Sequence, residues 1–357
     1  MLNFGSDNMA GASKHVLEAL VEANAGPARS YGADPWTLDA ERVLADIFEH
    51  ELTAFFVTSG TAANSLGIAA LVQPWNGVLC HPHAHILEDE CSAPEFFTGG
   101  ARLIPITRRE GKLAGKITAD ALQWTLDRLP ADAPHNITPA VVSLSQASEC
   151  GLVYRPDEIA ALAEVARSRA LTIHMDGARF ANAVASLGCK PSELTWKAGV
   201  DVLCLGASKN GALAAEAVIF FNSAHAANFA VRRKRGGHIV AKGRLLGAQF
   251  TGWLRNGHWL DLARTANLRA AQLAEGLSRT LDVRLVWPTD ANEVFAILPK
   301  SLDAKLRAAG CYYYQWNPNS LPPDESIAAD EVFVRLVTSF ATTSEEVSEF
   351  LDLAGAL

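Results

Sequence analysis

The sequence predicts an α/β fold, with a large domain built on a mostly parallel sheet and a smaller α+β domain at the C-terminal end. Three observations carry that expectation. Strand-like apolar runs alternate with helix-like periodicity from about residue 50 to 220. The chain is then mainly helical from about 240 to 280, and beyond it strand-like runs near 283–287, 293–298 and 331–337 surround a helix near 301–309. The division falls near residue 250, giving a large domain over 1–250 with the N-terminal segment and a small domain over 251–357. No repeat, low-complexity tract or Gly/Ser linker sharpens that boundary.

The elements follow in chain order. Thr53-Ala54-Phe55-Phe56-Val57 reads as a strand, and Thr58-Ser59-Gly60-Thr61-Ala62-Ala63-Asn64 turns it into a helix. Pro82 disrupts any regular strand through Cys80-His81-Pro82-His83-Ala84-His85, which follows an earlier strand. Pro156 suits a first helical turn, and Ile159, Leu162, Ala163 and Ala166 then recur at i, i+3, i+4 and i+7, so that helix lays one stripe on the sheet. Leu171-Thr172-Ile173-His174-Met175-Asp176 is the next strand. Asp176-Gly177 can signal a hairpin, but 178–187 shows no period-two alternation and reads as a turn into a helix. Asp201-Val202-Leu203-Cys204-Leu205 leads to Gly206-Ala207-Ser208-Lys209, and an apolar strand over 213–221 follows. Thr343 and Glu346 have capping-box spacing before the last helix.

Composition narrows the class. With 357 residues and 49% apolar content the chain can bury one large core and a smaller one. Its 31 basic and 39 acidic residues give −8, without a long basic stripe, so a nucleic-acid partner has little electrostatic support. Arg232-Arg233-Lys234-Arg235 reads as a solvated helix end or as an anion contact at a subunit boundary. Six scattered cysteines without a C-x-x-C pair suit a reducing compartment. The first ten residues lack a basic start followed by an apolar stretch, and no apolar run reaches the roughly 18 residues of a membrane span. The expectation is a soluble, cytoplasmic protein acting on a small molecule.

Three sequence features point to one ligand. The first backbone N–H groups of the helix after Ser59 have no internal partner, and a phosphate would satisfy them; Gly60 admits the anion, and Ser59 and Thr61 add hydroxyl donors. An ordinary N-cap explains the same residues. Asp176 ends a strand, and Lys209 follows another strand 33 positions later. Ligands of open α/β sheets bind outside the carboxyl ends of the strands, where all three lie. A carboxylate, an amine and a phosphate cradle are what pyridoxal phosphate requires: a partner for the ring nitrogen, a Schiff-base anchor and an anion site. Buried flanks around Lys209 favour a partly desolvated amine, which suits that anchoring chemistry. No dinucleotide or nucleoside-triphosphate fingerprint is present.

Other residues extend the site. Arg335 interrupts the apolar run Val332-Phe333-Val334-Arg335-Leu336-Val337 and needs an anionic partner, either a substrate carboxylate or an internal acid. Arg179 is a natural second clamp. Of the clustered histidines His81, His83 and His85, one facing the cofactor is better supported than a metal site, for which no ligand shell is complete, so no metal is expected. The acidic run Glu88-Asp89-Glu90 reads only as favouring the next helix start.

These residues together resemble the threonine aldolase family of fold-type I pyridoxal phosphate enzymes. The likeness covers nearly the whole chain: Gly5-Ser6-Asp7, Tyr31-Gly32-Ala33-Asp34-Pro35, Ser59-Gly60-Thr61-Ala62-Ala63-Asn64, Ala84-His85, His174-Met175-Asp176-Gly177-Ala178-Arg179, Ser208-Lys209 and Val334-Arg335-Leu336-Val337. The resemblance implies that Lys209 carries the cofactor as a Schiff base, Asp176 pairs with its ring nitrogen and His85 stacks on its ring. Ser59, Gly60 and Thr61 would then hold the phosphate, and Ser6, Arg179 and Arg335 the substrate carboxylate. It also implies a homotetramer, a dimer of dimers, in which Tyr31 serves a partner's site.

The implied reaction is retro-aldol cleavage of L-β-hydroxy-α-amino acids to glycine and an aldehyde, with β-elimination or transamination as alternatives that use the same parts. A non-catalytic ligand-binding protein is the reading from another class. His85, or a water it positions, is expected to take the β-hydroxyl proton. One stretch departs from the family: where many members carry a second histidine in an Asn-Thr-His-Asn-Gly-like stretch, this chain has Gln146-Ala147-Ser148-Glu149-Cys150-Gly151.

Overall fold

Thirteen strands appear among the residues described by the computed structural model, which are 2–108, 111, 114–130, 132 and 134–355. In chain order they are β1 (Leu2–Asn3), β2 (Thr53–Val57), β3 (Asn76–Cys80), β4 (Arg102–Pro105), β5 (Thr138–Ser145), β6 (Thr172–Gly177), β7 (Val202–Gly206), β8 (Glu216–Phe220), β9 (Arg284–Leu285), β10 (Glu293–Pro299), β11 (Cys311–Tyr312), β12 (Tyr314–Gln315) and β13 (Glu331–Val337). Seven of them form the large sheet in the order β2-β8-β7-β6-β5-β3-β4. All its pairings are parallel except those of β8, which runs against both neighbours. Every residue of β7 and β8 is buried, which is why they read as unbroken apolar runs rather than alternating ones.

This topology collects the site. Val57 and Gly206 both pair with Glu216. The antiparallel strand therefore begins where its neighbours finish, and adds Glu216 to the edge that carries the carboxyl ends of β2, β6 and β7. Helices cover the faces. The helix Pro156–Ser168 starts on its proline and buries Ile159, Leu162, Ala163 and Ala166, the stripe its spacing specifies. The turn after Asp176 leads into the helix Phe180–Leu187 and not into a hairpin.

The smaller sheet has the antiparallel order β12-β13-β10-β9. The helix Ser344–Ala354 packs Phe350 against Phe4 and opens with the expected capping box, Glu346 N to Thr343 Oγ1 at 3.1 Å and Thr343 N to Glu346 Oε2 at 2.8 Å. Leu2 and Phe4 belong to this same apolar cluster, and β1 pairs with β11. The N-terminal segment thus packs with the small sheet before Asp7–Met9 crosses to the large one, and residue 250 falls inside the helix Arg244–Leu254. No described helix is long and apolar enough to cross a membrane.

Candidate active site

Two adjoining chambers open at the carboxyl edge of the large sheet. The first, of about 410 Å³, is lined by the Thr58–Thr61 turn, Asn64, His85, Asp176, Lys209 and Glu216, among others. The second, of about 350 Å³, lies toward the small sheet and is lined by Ser6, His83, Trp316 and Arg335, among others. They share Asn8, His85, Glu149, Arg179 and Lys209. Tyr31 lines neither; it is 57% exposed, beside the basic helix end at Arg232–Arg235, with Lys234 Nζ 5.5 Å from its ring centre.

At one end of the first chamber the chain offers its backbone. Ser59 caps the helix Gly60–Leu71 and its Oγ accepts from Ala62 N at 3.3 Å. Gly60 and Thr61 are in the first turn, where backbone N–H groups have no intrahelical acceptor. A Cβ at Gly60 would meet nothing within 4 Å, so the space before the helix is open to an anion.

Deeper in, Asp176 is held as an acceptor. Its Oδ2 takes a hydrogen bond from Asn64 Nδ2 at 2.8 Å, and its Oδ1 takes one from Ala178 N at 2.9 Å. The same Asn64 nitrogen donates to Glu90 Oε1 at 2.8 Å, and that oxygen lies 2.9 Å from His85 Nδ1. The bond to Glu90 raises the pKa of His85 against the opposing effect of burial, with the charges of Asp176 and Glu90 adding to the rise. His85, Glu90 and Asp176 each bring one donor atom within 4.8 Å of the others, yet Asn64 already bonds both carboxylates, so the cluster closes on an amide. The other clustered histidines turn elsewhere: His81 Nε2 to Ala114 O at 2.9 Å and His83 Nδ1 to Glu88 at 3.1 Å.

Lys209 sits on the short turn Ser208–Asn210, directly after β7. Ser208 Oγ donates to Glu216, whose carboxyl burial pushes up to about 7. A second acid behaves alike. Glu149 Oε1 accepts from Ser145 Oγ at 2.6 Å and from His85 N at 2.8 Å, and burial pushes this carboxyl up to about 7 as well. Its Oε2 is shielded from solvent and has no hydrogen-bond partner.

The second chamber ends in two arginines. Arg335 lies with its guanidinium 3.9 Å from the Trp316 ring centre and Nη1 3.5 Å from Glu293 Oε1, while its buried Nε has no partner. Both partners the sequence allows are therefore compatible: an internal acid at Nη1, and a carboxylate in the chamber that Arg335 lines. Arg179, offered by the sequence as a second clamp, is more committed. Its Nε and Nη2 bind Asp7 at 2.8 and 3.1 Å, and its Nη1 lies 3.4 Å from Glu293 Oε2. Burying a guanidinium demands such pairing, so what remains for a substrate is a crowded side of this group. Ser6 lines the same chamber and caps the Asp7–Met9 turn, its Oγ accepting from Asn8 N at 3.2 Å.

The structure brings the expected cofactor residues Lys209, Asp176, His85 and the Ser59 turn around the first chamber, and the expected carboxylate residues Ser6, Arg179 and Arg335 around the second. Sequence reasoning gave no individual part in the site to Asn64, Glu90, Asp7, Glu216, Glu293 or Trp316. It reached Glu149 only as a departure from a family pattern. Polar residues inside apolar segments, as Glu216 and Glu293 are, were the available signal.

Comparison with known proteins agrees with this geometry. Residues 3–301 match the beta-eliminating lyase family. The low specificity L-threonine aldolase of Pseudomonas aeruginosa is 43% identical over 311 residues, covering 87% of this chain and 88% of that protein. The Saccharomyces cerevisiae enzyme of the same name is 26% identical, covering 81% and 72%. Among solved structures, Leishmania major threonine aldolase superposes with a TM-score of 0.89 at 26% identity, covering 99% of this chain and 98% of that one. A serine palmitoyltransferase of Sphingomonas wittichii shares the fold, with a TM-score of 0.70 at 18% identity, covering 99% and 86%.

Proposed function

The chain belongs to the beta-eliminating lyase family, and from that premise and the site we infer that it is a pyridoxal phosphate-dependent aldehyde-lyase of the low-specificity L-threonine aldolase type. It cleaves L-β-hydroxy-α-amino acids such as threonine, allo-threonine or phenylserine to glycine and an aldehyde. The observation that carries this reading is the convergence of an open helix N-terminus, a fixed carboxylate and a lysine on one cavity. That donor set fits the cofactor. Ser59, Gly60 and Thr61 hold its phosphate, Asp176 faces its ring nitrogen, His85 packs on its ring and Lys209 holds its aldehyde. When bound, the cofactor supplies an electron sink for the pair released at the substrate's Cα.

The chain's own residues choose the bond. Arg335, which lines the second chamber, binds the substrate carboxylate beside Ser6, and Arg179, held by Asp7, borders the same space. A carboxylate fixed there would restrict rotation about the substrate's Cα, and so would select which Cα bond is cleaved. Asn64 keeps Asp176 and Glu90 in place, so the carboxylate under the ring nitrogen does not rotate away.

The working assembly is a homotetramer, a dimer of dimers, in the cytoplasm. Tyr31, exposed and remote from both chambers, and Leu213, which lines the first chamber yet is 57% exposed, support contacts from a second subunit. Six free cysteines support a reducing compartment.

Incubation with L-threonine tests the reaction. Acetaldehyde and glycine in equal amounts are expected; ammonia with a keto acid would mean elimination instead, and a keto acid formed once per site without ammonia would mean transamination. Lys209→Ala is expected to lose both turnover and the visible absorbance of the bound cofactor.

A further inference from the structure

We propose that Glu149 is the catalytic residue that takes the proton from the substrate's β-hydroxyl as the Cα–Cβ bond breaks. The assignment rests on the retro-aldol reading above.

The reacting atoms must sit where the two chambers meet, between the residues that hold the cofactor and those that hold the carboxylate. The titratable side chains shared by both chambers are His85, Glu149, Arg179 and Lys209. Arg179 carries no acceptor atom and is bound to Asp7. Lys209 is assigned to the cofactor's aldehyde. His85 has its Nδ1 engaged with Glu90 Oε1, and its ring is assigned to the face of the cofactor. Glu149 remains.

Its geometry suits the role. Oε1 is fixed by two donors, Ser145 Oγ and His85 N, while Oε2 has no partner. Two donors thus anchor the carboxyl group in the lining that the two chambers share. Burial pushes the carboxyl up to about 7, with the charge of Asp176 adding to the rise, which brings its proton affinity close to the working pH of a general base near neutrality. The titratable groups that act on it or feel its charge are Asp176, Tyr154 and Cys80, and His85, Arg179 and Lys209 line the same two chambers.

The step balances. The hydroxyl O–H bond breaks and the proton passes to the Glu149 carboxylate. The oxygen's pair becomes the second carbon–oxygen bond of the aldehyde, the Cα–Cβ bond breaks, and its pair goes to Cα, for which the cofactor, when bound, would supply the electron sink. Glu149 ends the step as a carboxylic acid and loses its proton to solvent after the aldehyde leaves.

Wild type, Glu149→Gln and Glu149→Asp holoenzymes should be compared for L-threonine cleavage across pH and for equilibrium affinity toward glycine, which has no β-hydroxyl. In wild type, kcat/KM is expected to fall as pH drops below about 7. Glu149→Gln should lower kcat by ~10²- to 10⁴-fold and flatten that acid limb, with glycine affinity unchanged within about threefold. Glu149→Asp, which draws the carboxylate back by one methylene, should keep the limb with an intermediate kcat. Turnover in Glu149→Gln within about threefold of wild type overturns the assignment, as does a parallel loss of kcat and glycine affinity, the mark of a structural role. If Glu149→Gln does not fold, Glu149→Asp decides: a retained limb with reduced kcat supports the assignment and a vanished limb overturns it. Failure of wild type to cleave any β-hydroxy-α-amino acid would sink the retro-aldol reading and this assignment together, whereas wild-type cleavage with an unaffected Glu149→Gln sinks only the assignment.

Discussion

At the Ser59 end of the site the binding groups are backbone N–H groups of one helix, whereas at the Arg335 end they are guanidiniums that already hold acids of their own. The helix end costs little to keep open, because its first N–H groups lack intrahelical partners in any case. The arginine end cannot be left bare. Arg179 is 9% exposed and Arg335 is half-buried, and unpaired buried charge is expensive, so Asp7 and Glu293 stand against them before any substrate arrives. A phosphate at one end meets vacant donors; a substrate carboxylate at the other must share donors with internal acids. The first arrangement favours tight retention, the second exchangeable binding with firm orientation.

The sharpest way to break this contrast is to remove an internal acid. Asp7→Asn leaves Arg179 without its main partner and is expected to destabilise the fold by about 3–5 kcal/mol, read from urea unfolding. Burial alone would raise the pKa of Asp7, but the charges of Arg179 and Lys209 and the hydrogen bonds from Arg179 and Asn292 hold it below the usual carboxylate range. Its contribution is thus present above the unfolded-state pKa and lost as pH falls through the lower folded-state value. The stability difference between wild type and Asp7→Asn should shrink correspondingly in acid; a difference that does not vary with pH would contradict the pairing.

A smaller effect should come from the substrate end. Arg335→Met removes charge-assisted hydrogen bonds of about 1.5–3 kcal/mol, so KM for L-threonine is expected to rise by about 10- to 100-fold with affinity for the cofactor unchanged. The smallest belongs to the helix end. Ser59→Ala deletes a cap of about 1 kcal/mol and one hydroxyl, and a titration of the apoprotein followed by visible absorbance should show roughly fivefold weaker cofactor binding. If this last change proved more damaging than the loss of Arg335, the side chain and not the backbone would dominate the phosphate end.

Legibility in the sequence followed the same divide. Ser59, Asp176 and Lys209 stand at the ends of strands, and strand ends are visible in local apolar patterning. The stripe of the helix Pro156–Ser168 and the capping box at Thr343 were readable for the same reason. Glu90 was not, because its role depends on Asn64 and His85 converging on one oxygen, and Asn64 lies 26 positions away. Asp7 meets Arg179 across 172 positions, and no local pattern encodes that pair. Arg335 was recognised as needing an anion, yet whether that anion was internal or a ligand required knowing that Glu293 faces it across β10 and β13 while Nε stays free.

The order of residues along the chain, by itself, determined the α/β class, the strand ends that bear the anchoring lysine and aspartate, and the helix start that can receive a phosphate, since each follows from periodicity and capping within a few turns of backbone. Only the folded arrangement decided which acids neutralise which arginines, that Glu149 stands with one oxygen tethered and the other unpaired, and that two chambers meet there. Electrostatic partnership depends on separation in space, and a sheet whose strands are ordered out of sequence brings together groups that no window of sequence contains.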